Sequence, residues 1–398
     1  MERMMLPDSA WRERAGLVRL CEVLGAAEGK VRFVGGAVRD TLLGIDVADV
    51  DLATEHAPGR VIALLKDKAI RVVPTGLAHG TVTAVLPGGE PIEVTTLRCD
   101  VATDGRHATV AFTDDWREDA ARRDFTMNAL YADPLTGEIF DYFGGLDDLA
   151  ARRVRFIGDP LKRIAEDHLR ILRFFRFHAR FGDEPDRAGL DACTERANDL
   201  MALSRERIAA ELLRLIVAVH AVPVVALMIE RGIFRPVLPE IESVAQLARL
   251  AKREGEAGIA PDAIRRLAAL LPADPRVADD VGARLKLSKV DRRRLASAAE
   301  PAGDEPAEVI GYRLGATLAI DRLLLSDRPE SEAAALVDWD IPALPLTGGA
   351  LVERGLRKGP EVARTLRVVE EQWIAEGFPD IARVNQIADD AVARALRG

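Results

Sequence analysis

Cysteine is scarce in this chain of 398 residues: Cys21, Cys99 and Cys193 are the three, and no Cys-x-x-Cys pair occurs. We therefore expect neither a disulfide framework nor a zinc site, and a reducing, cytoplasmic location is expected. Aromatic residues make up only 5% of the chain, too few for an extended base-stacking surface. No apolar run approaches the ~18 residues of a membrane span, so we expect no membrane partner.

Positively charged residues are outnumbered: the chain has 55 Lys and Arg residues and 64 Asp and Glu residues, which gives a net charge of −9. This balance excludes a polycation that coats nucleic acid, but it does not exclude a local basic surface. Hydrophobic residues make up 48% of the chain, enough to bury a sizeable core. The composition is that of a globular protein with two or three domains.

The segment from residue 31 to residue 96 alternates short apolar strands with helices. Strands are predicted at Val31–Val34 and at residues 50–54, 70–73, 81–86 and 92–96, and helices at 37–43 and 57–66. After residue 150 the pattern becomes helical, most clearly at 162–181, 204–219 and 281–299, with Ser204 as an N-cap. We predict an α+β protein: a small mixed β-sheet head followed by an all-α remainder.

Two carboxylates, Asp49 and Asp51, are spaced to lie on one face of a predicted apolar strand. They repel each other unless a cation lies between them, and paired hard oxygens suit Mg²⁺. A solvated strand face is the alternative. Glu93, on another apolar strand, completes a carboxylate cluster if the two strands are neighbours; alternatively it pairs with Arg98.

Two glycines, Gly35 and Gly36, mark a strand-to-helix junction upstream of these acids. Glycines allow a backbone to approach a phosphate closely, and Arg39, one turn into the helix, adds positive charge. The spacing matches neither a Rossmann fingerprint nor a P-loop, so those two phosphate-binding mechanisms are excluded. A plain tight turn is the alternative explanation.

Several motifs in the same order resemble one family. They are GGAVRD, DVDLAT, TGLAHGTVT, IEVTTLR, RRDFTMNALY, DYFGG and EDHLRILR, and together they cover roughly residues 30–220. This set is similar to the class II nucleotidyltransferases of the polymerase-β superfamily, which include bacterial tRNA CCA-adding enzymes and poly(A) polymerases. Beyond residue 220 the likeness is looser and is strongest at PLTG (345–348) and KGP (358–360).

The resemblance implies a reaction in which an RNA 3′-hydroxyl attacks the α-phosphate of a nucleoside triphosphate and pyrophosphate leaves. Two metal ions serve this chemistry, so Mg²⁺ is the implied cofactor and Asp49 and Asp51 are its implied ligands. Gly36 and Arg39 are implied to contact the nucleotide. The Arg-Arg-Asp motif is implied to contact its ribose and phosphates; its candidate residues are Arg122, Arg123, Asp124 and Asn128. The alternative for this motif is a purely structural one, an exposed helix start capped by Asp124.

Residues 151–180 contain nine Lys and Arg residues against three Asp and Glu residues, which indicates contact with phosphate or nucleic acid; a solvated cationic face is the alternative. If the segment 162–180 is one helix, Asp167 and Arg170 are neighbours at i and i+3, and the ordinary explanation is an ion pair. The resemblance implies that they read the base: a carboxylate accepts from the exocyclic amine of C or A, and a guanidinium donates to the ring nitrogen. Arg173 and Arg176 continue along the helix and are expected to contact phosphates or RNA.

The resemblance divides the chain into a catalytic head (1–150), a neck with the base-reading helix (151–220), an RNA-binding body (221–300) and a tRNA-binding tail (301–398), the helical part being elongated. The expected partners are tRNA, CTP and ATP. The loop 103–107 is expected to be mobile and, by resemblance, to assist the change from C to A addition. A basic cluster between residues 284 and 294 is either an RNA contact or a solvated face. A poly(A) polymerase, a CC- or A-adding enzyme and a non-catalytic RNA-binding protein remain as alternatives.

Overall fold

The computed structural model describes residues 4–103 and 108–397, and the chain forms two compact units, residues 1–239 and 240–398. The strands are β1 Val31–Val34, β2 Asp51–Thr54, β3 Arg71–Gly76, β4 Thr81–Val85, β5 Pro91–Thr96, β6 Arg98–Thr103, β7 Ala108–Phe112, β8 Leu130–Ala132 and β9 Ile139–Asp141.

The helices of the first unit are α1 Leu17–Val23, α2 Gly36–Leu42, α3 Pro58–Asp67, α4 Trp116–Ala121, α5 Gly145–Ala150, α6 Pro160–Glu166, α7 Arg170–Phe181, α8 Arg187–Glu195, α9 Arg205–Ile216 and α10 Ala221–Glu230. Those of the second unit are α11 Ala245–Glu256, α12 Ala263–Ala268, α13 Pro275–Arg284, α14 Lys289–Ala298, α15 Ala307–Leu314, α16 Ala316–Leu325, α17 Glu330–Ala334, α18 Gly348–Glu353, α19 Pro360–Ala375 and α20 Ile381–Ala395. The α+β prediction, a mixed sheet followed by a largely helical remainder, is confirmed. None of the helices in the described part combines the length and apolar character needed to cross a bilayer.

The head contains a seven-stranded sheet in the order β3-β4-β5-β2-β1-β8-β9. Strand β1 pairs antiparallel with β2, and β2 pairs parallel with β5. The five strands predicted from alternation are present, and a Pro-Gly-Gly-Glu turn joins β4 to β5 as expected. No sequence pattern predicted β8 and β9, which are only three residues long, or the separate β6–β7 ribbon.

Two predicted helices are interrupted. The segment 162–181 is not one helix, because α6 ends at Glu166 and Asp167 has an extended backbone with φ −151° and ψ 106°. Likewise 281–299 is split between α13 and α14, and Lys286 between them has φ +55°. Helix α9 follows the prediction, and the Ser204 hydroxyl caps it by accepting from the Arg207 amide.

An aromatic cluster packs α7 against the segment that follows α4. Phe156 and Phe174 stack with ring centroids 5.6 Å apart, and Phe125 lies 4.9 Å from Phe156 and 5.3 Å from Phe177. Phe125, Phe156 and Phe174 are fully buried, and burying such a ring contributes about 1.5–3 kcal/mol. The cluster therefore fixes the start of α7 beside the Arg-Arg-Asp motif.

The second unit buries an ionic network. Asp321 is completely buried and accepts from Arg265 at 3.2 Å and from Arg294 at 2.6 and 3.0 Å. Arg265 also donates to Glu254 at 2.8 Å, and Glu254 accepts from Arg266 at the same distance. Because every charge in this network has an opposite partner, the unit tolerates their burial.

Candidate active site

The turn between β1 and α2 requires glycine. Gly35 has φ +68° and ψ −118°, a conformation that side chains with a Cβ rarely adopt. A Cβ placed on Gly36 would lie 3.8 Å from Nη2 of Arg39, so the glycine backbone and this guanidinium share one corner of the head. The predicted Gly-Gly junction thus lies beside its predicted cation.

Two acidic residues, Asp51 and Glu93, meet next to this turn. In the sheet register Asp51 is opposite Val34 at the end of β1, and on its other side it is opposite Glu93 of β5. The strand begins only at Asp51, so the prediction that Asp49 lies inside it is wrong; Asp49 precedes the strand and is exposed. The structure brings Glu93 to Asp51, as the neighbouring-strand hypothesis required, and not into an ion pair with Arg98.

The electrostatics of these acids are unfavourable for the protein alone. Partial desolvation, then the charges of Glu93 and Asp49, raise the pKa of Asp51 to about 6, although Arg123 opposes the shift. Asp51 is nevertheless open to solvent on its cleft side. Among residues 4–103 and 108–397, no hydrogen bond or ion pair engages the carboxylates of Asp49, Asp51 or Glu93. The arrangement has the excess of negative oxygen ligands that a cation neutralises.

The donor set fits a hard divalent cation. Over the described ranges, no group of three or more His, Cys, Asp and Glu side chains is arranged to enclose a metal by itself. Mg²⁺ does not need such an enclosure, because it is held by one or two carboxylates together with substrate phosphates and water. Asp51, with Glu93 opposite it in the sheet, fits this requirement, and Asp49 precedes it by two residues.

Arg39 is buried and held from two directions. Its Nε donates to Oδ1 of Asp40 at 2.7 Å, and its Nη1 donates to Oδ1 of Asn128 at 2.5 Å. The rings of Phe177 and Phe181 lie 5.3 and 4.5 Å from the guanidinium. Burial lowers the pKa of Arg39, and Asp40 opposes that shift. The side chain is therefore a fixed cation rather than a flexible one.

Asp124 is a buried structural partner and not a helix cap. Its Oδ2 accepts from Nε and Nη2 of Arg173 at 2.8 and 2.5 Å, and its Oδ1 accepts from the Phe125 amide and from Nδ2 of Asn128. Burial alone would raise the pKa of Asp124, but Arg173 and Asn128 outweigh it and the pKa is lowered. Four donors occupy this carboxylate, so in this arrangement Asn128 is better placed than Asp124 to reach a ribose hydroxyl.

Arg123 is held by two residues that the sequence did not single out. Its Nε donates to the Tyr131 hydroxyl at 3.1 Å and its Nη2 to Asp119 at 3.1 Å, while the Tyr131 hydroxyl donates to Asp119 at 2.7 Å. Burial would raise the pKa of Asp119, but Arg123 and Arg122 lower it. Nη1 of Arg123 approaches Gly35, which places this cation at the glycine turn.

Asp167 and Arg170 are not an ion pair. Asp167 accepts from Nη2 of Arg207 at 2.8 and 3.1 Å and from the Leu169 amide at 3.1 Å. Arg170 pairs with Glu166 at 2.5 Å and donates to the Arg163 carbonyl at 2.7 Å. The ordinary explanation of an intrahelical ion pair is therefore wrong, because the helix is broken between them.

Arg173 and Arg176 are both engaged by protein carboxylates. Besides Asp124, Arg173 has Glu211 at 3.8 Å, and Nε of Arg176 donates to Glu211 at 2.5 Å. Burial lowers the pKa of Arg176, and Glu211 opposes this. Phosphate contact by Arg176 stays a prediction, and the structure gives this guanidinium a partner of its own.

These groups surround one cleft of about 450 Å³, a volume in the range of small-molecule sites. All predicted site residues except Asp49 and Arg176 line it: Gly36, Arg39, Asp51, Glu93, Arg122, Arg123, Asp124, Asn128, Asp167, Arg170 and Arg173. Within this lining Asp51 and Glu93 are neighbours in the sheet, whereas Asp124 and Asp167 each accept hydrogen bonds from an arginine. A cavity of about 550 Å³ in the second unit is lined by Trp339 and Phe378 with several carboxylates, and this acidic lining does not suit a nucleotide.

The remaining predictions concern a loop and a basic cluster. Residues 104–107 of the predicted mobile loop lie outside the described residues. In the cluster between 284 and 294, Arg284 pairs with Glu240, Arg292 with Asp279 and Arg294 with Asp321. Much of this basic charge is thus neutralised within the protein, which weakens the prediction of an RNA contact there.

Sequence reasoning missed the residues that orient the cleft: Asp40, Asp119, Tyr131, Glu166, Arg207 and Glu211. Asp40 and Glu166 adjoin predicted site residues in the motifs, which was a usable signal. Arg207 and Glu211 lie on α9, about 35 to 40 positions from their partners, and no local pattern marks them.

Comparison with known families matches two parts of the chain. Residues 31–155 match the "Poly A polymerase head domain", and residues 185–244 match the "Probable RNA and SrmB- binding site of polymerase A". The CCA tRNA nucleotidyltransferase 1, mitochondrial, of Mus musculus is 35% identical over 385 residues, which cover 91% of this chain and 87% of the mouse protein. The CCA-adding enzyme of Latilactobacillus sakei is 29% identical over 391 residues, covering 92% and 96%.

Solved structures agree with the sequence relatives. The Bacillus stearothermophilus CCA-adding enzyme in complex with CTP superposes with a TM-score of 0.74 at 26% identity, covering 96% of this chain and 98% of that one. The Thermotoga maritima CCA-adding enzyme complexed with tRNA has a TM-score of 0.68 over 98% of this chain and 99% of that one; at 20% identity it shows the fold alone. The extent of the likeness and the head-domain match establish that the chain belongs to the class II CCA-adding enzyme family and is a nucleotidyltransferase.

Proposed function

We propose that the protein restores the CCA end of tRNA, adding C, C and A in turn from CTP and ATP. The observation that carries this proposal is the cleft, in which phosphate-binding, metal-binding and base-reading candidates line one space of nucleotide size. The similarity to an enzyme solved with CTP and to one solved with tRNA supports the same substrates.

The triphosphate lies, in this proposal, against the glycine turn. Arg39, held by Asn128, and Arg123, held by Tyr131, are fixed donors for phosphate oxygens. Prepositioned donors suit phosphoryl transfer, because this reaction needs alignment and charge neutralisation more than a side-chain nucleophile. Because the carboxylate of Asp124 is already occupied by four donors, Asn128 is the residue that contacts the ribose hydroxyl in this proposal.

Asp49 and Asp51 would hold Mg²⁺ together with the phosphates. Bound there, a pair of such ions supplies Lewis-acid activation of the attacking 3′-hydroxyl and neutralises the leaving pyrophosphate. Glu93 adds negative charge beside Asp51 and thereby strengthens the attraction of the acid pair for cations.

The base lies between Asp167 and Arg170. With Asp167 held by Arg207 and Arg170 held by Glu166, both side chains are fixed at the cleft without neutralising each other. The carboxylate accepts from the exocyclic amine of C or A, and the guanidinium donates to the ring nitrogen. Guanine and uracil present the opposite pattern and are rejected because they leave the remaining acceptor position of Asp167 and the remaining N–H groups of Arg170 without hydrogen bonds.

We assign the catalytic head to residues 1–150 and the base-reading neck to 151–220, with tRNA contacts in the body (221–300) and tail (301–398). The tail assignment is supported by exposed cations that make no ion pair among the described residues: Arg357, Lys358, Arg364 and Arg367. The cytoplasmic location stays a prediction from cysteine content, since the mouse and human relatives are named as mitochondrial.

The test is a nucleotide-addition assay. A tRNA that lacks its 3′ CCA is incubated with the protein, Mg²⁺ and CTP, ATP or both, and the number of added nucleotides is read from a sequencing gel. We expect three additions ending in A when both nucleotides are present. A long A tail would instead identify a poly(A) polymerase, the alternative suggested by the matched head domain, and no addition at all would indicate an RNA-binding protein without catalysis.

Asp49→Ala and Asp51→Ala test the metal assignment. Each removes a candidate ligand and no proposed RNA contact, so tRNA binding measured by filter retention should stay close to wild type while transfer is lost. Turnover in Mg²⁺ retained by either variant would contradict the two-carboxylate assignment.

A further inference from the structure

The guanidinium of Arg39 is already hydrogen-bonded to protein side chains, apart from any contact with a nucleotide phosphate. A guanidinium has five N–H groups. Nε and Nη2 both lie 2.7 Å from Oδ1 of Asp40, and Nη1 donates to Asn128. Hydrogen bonds to the described residues thus occupy two of the N–H groups, that of Nε and one on Nη1, and N–H groups remain available to a ligand in the cleft that Arg39 lines.

Asp40 reaches beyond its own helix. Its Oδ2 lies 3.5 Å from Nη2 of Arg180 on α7, while its Oδ1 holds Arg39. The same helix provides Phe177 and Phe181, whose rings flank the Arg39 guanidinium. Asp40 is itself buried and does not line the cleft. Its carboxylate contacts Arg39 and Arg180 rather than the cleft, and of these two arginines only Arg39 lines the cleft.

We propose that Asp40 is a positioning residue, which holds Arg39 in the orientation that binds the nucleotide phosphates. The inference rests on the proposed function, in which Arg39 contacts the triphosphate. A buried guanidinium without a carboxylate partner turns towards solvent or loses its fixed geometry, because an unpaired buried charge is costly. Asn128 alone supplies a neutral acceptor and fixes only Nη1.

The experiment is a double-mutant cycle with Arg39→Ala, Asp40→Ala and the double variant. The KM and kcat for CTP and for ATP are measured in the nucleotide-addition assay with tRNA that lacks its CCA end. Asp40→Ala should raise the KM by about tenfold, as expected for the loss of a charge-assisted hydrogen bond, and by the same factor for both nucleotides. In the Arg39→Ala background, Asp40→Ala should cause no further rise.

Two further variants separate positioning from folding. Asp40→Asn keeps the shape and one acceptor for Arg39, so its KM should lie between those of wild type and Asp40→Ala. Arg180→Ala removes a longer contact made by a side chain that is 44% exposed, and should change the KM by about threefold or less. Thermal unfolding and tRNA binding are followed for every variant, and the KM comparison is made on those that unfold within a few degrees of wild type.

The outcomes distinguish an error in the proposed role of Arg39 from an error in the positioning role of Asp40. If Arg39→Ala leaves the KM for both nucleotides unchanged, the phosphate role of Arg39 in the proposed function is wrong. If Arg39→Ala raises the KM and the effect of Asp40→Ala simply adds to it, Asp40 has a structural role independent of Arg39 and the inference is overturned. Equal effects of Asp40→Asn and Asp40→Ala on unfolding, with no effect on the KM, would overturn it as well.

Discussion

Removing the carboxylate of Asp167 should change which nucleotides the enzyme accepts. The carboxylate offers about four acceptor positions, and three are occupied by the Leu169 amide and by Arg207, which contacts both oxygens. The remaining position, on Oδ2, is free for the exocyclic amine of C or A. A hydrogen bond to a charged group contributes roughly 1.5–3 kcal/mol, so discrimination against UTP and GTP should fall by about one to two orders of magnitude in Asp167→Ala.

The structure also indicates that this variant folds. Asp167 and Arg207 are 32% and 39% exposed, so the ion pair lost in Asp167→Ala contributes about 1 kcal/mol or less to stability. Arg170 keeps Glu166 as its partner and therefore stays in place. A matched control is Asp183→Ala, which removes an exposed carboxylate paired with Arg152 and outside the cleft, and should leave selectivity unchanged.

The measurement is kcat/KM for CTP, ATP, UTP and GTP on the same shortened tRNA. We expect the values for CTP and ATP to fall while those for UTP and GTP fall little or rise. Equal loss with all four nucleotides would refute base reading by Asp167 and leave its partnership with Arg207 as a purely structural contact.

Three further predictions concern stability. The pKa of Asp51 is about 6 in the folded state, against an ordinary value of 3.8 for an aspartate, so between these pH values the folded protein binds more protons than the unfolded chain and stability falls as pH rises. Asp51→Asn should remove this loss, which is a gain in the free energy of unfolding of about 1 kcal/mol above pH 6 after discounting for solvent exposure. Parallel urea-unfolding profiles of the two proteins in EDTA from pH 4.5 to 7.5 would contradict this prediction. Tyr131→Phe deprives buried Asp119 of a donor and should lower the free energy of unfolding by about 1–3 kcal/mol, measured in urea; no change would mean that Asp119 finds another donor. Asp321→Ala leaves Arg265 buried without that partner and should cost about 3–5 kcal/mol, seen as a lower Tm, whereas an unchanged Tm would show that the network rearranges.

Local patterns predicted five of the seven strands of the head sheet, with Asp51 and Glu93 on two of them. Short apolar strands ended by glycine or by a Pro-Gly-Gly-Glu turn are determined by neighbours in the sequence, and the five strands predicted in this way are present. The pairing of Asp51 with Glu93 followed once β2 and β5 were taken as neighbours, since register then fixes the shared face. The start of the strand at Asp51 was missed because Val50 is apolar and buried, as a strand residue would be.

The break at Asp167 could not be predicted, because neither glycine nor proline marks it and the residues around it suit a helix. Its stability comes from side chains: Arg207, distant in sequence, holds Asp167, and Arg170 satisfies the Arg163 carbonyl. The hydrogen bond between Arg173 and Asp124 likewise joins side chains that are distant in sequence, 49 positions apart. Contacts of this kind depend on tertiary packing, which neither periodicity nor spacing contains.

The interruption between α6 and α7 has an electrostatic consequence for base recognition. Asp167 lies just before the amino end of α7, where the aligned peptide dipoles favour negative charge, and its Oδ1 accepts from the Leu169 amide there. Arg170 donates to the Arg163 carbonyl in the last turn of α6, where they favour positive charge. Each charge is therefore stabilised by a helix end and by its own ion-pair partner, Arg207 for Asp167 and Glu166 for Arg170, rather than by the other. In the proposed function, a nucleobase can therefore enter between them without first separating an ion pair between Asp167 and Arg170.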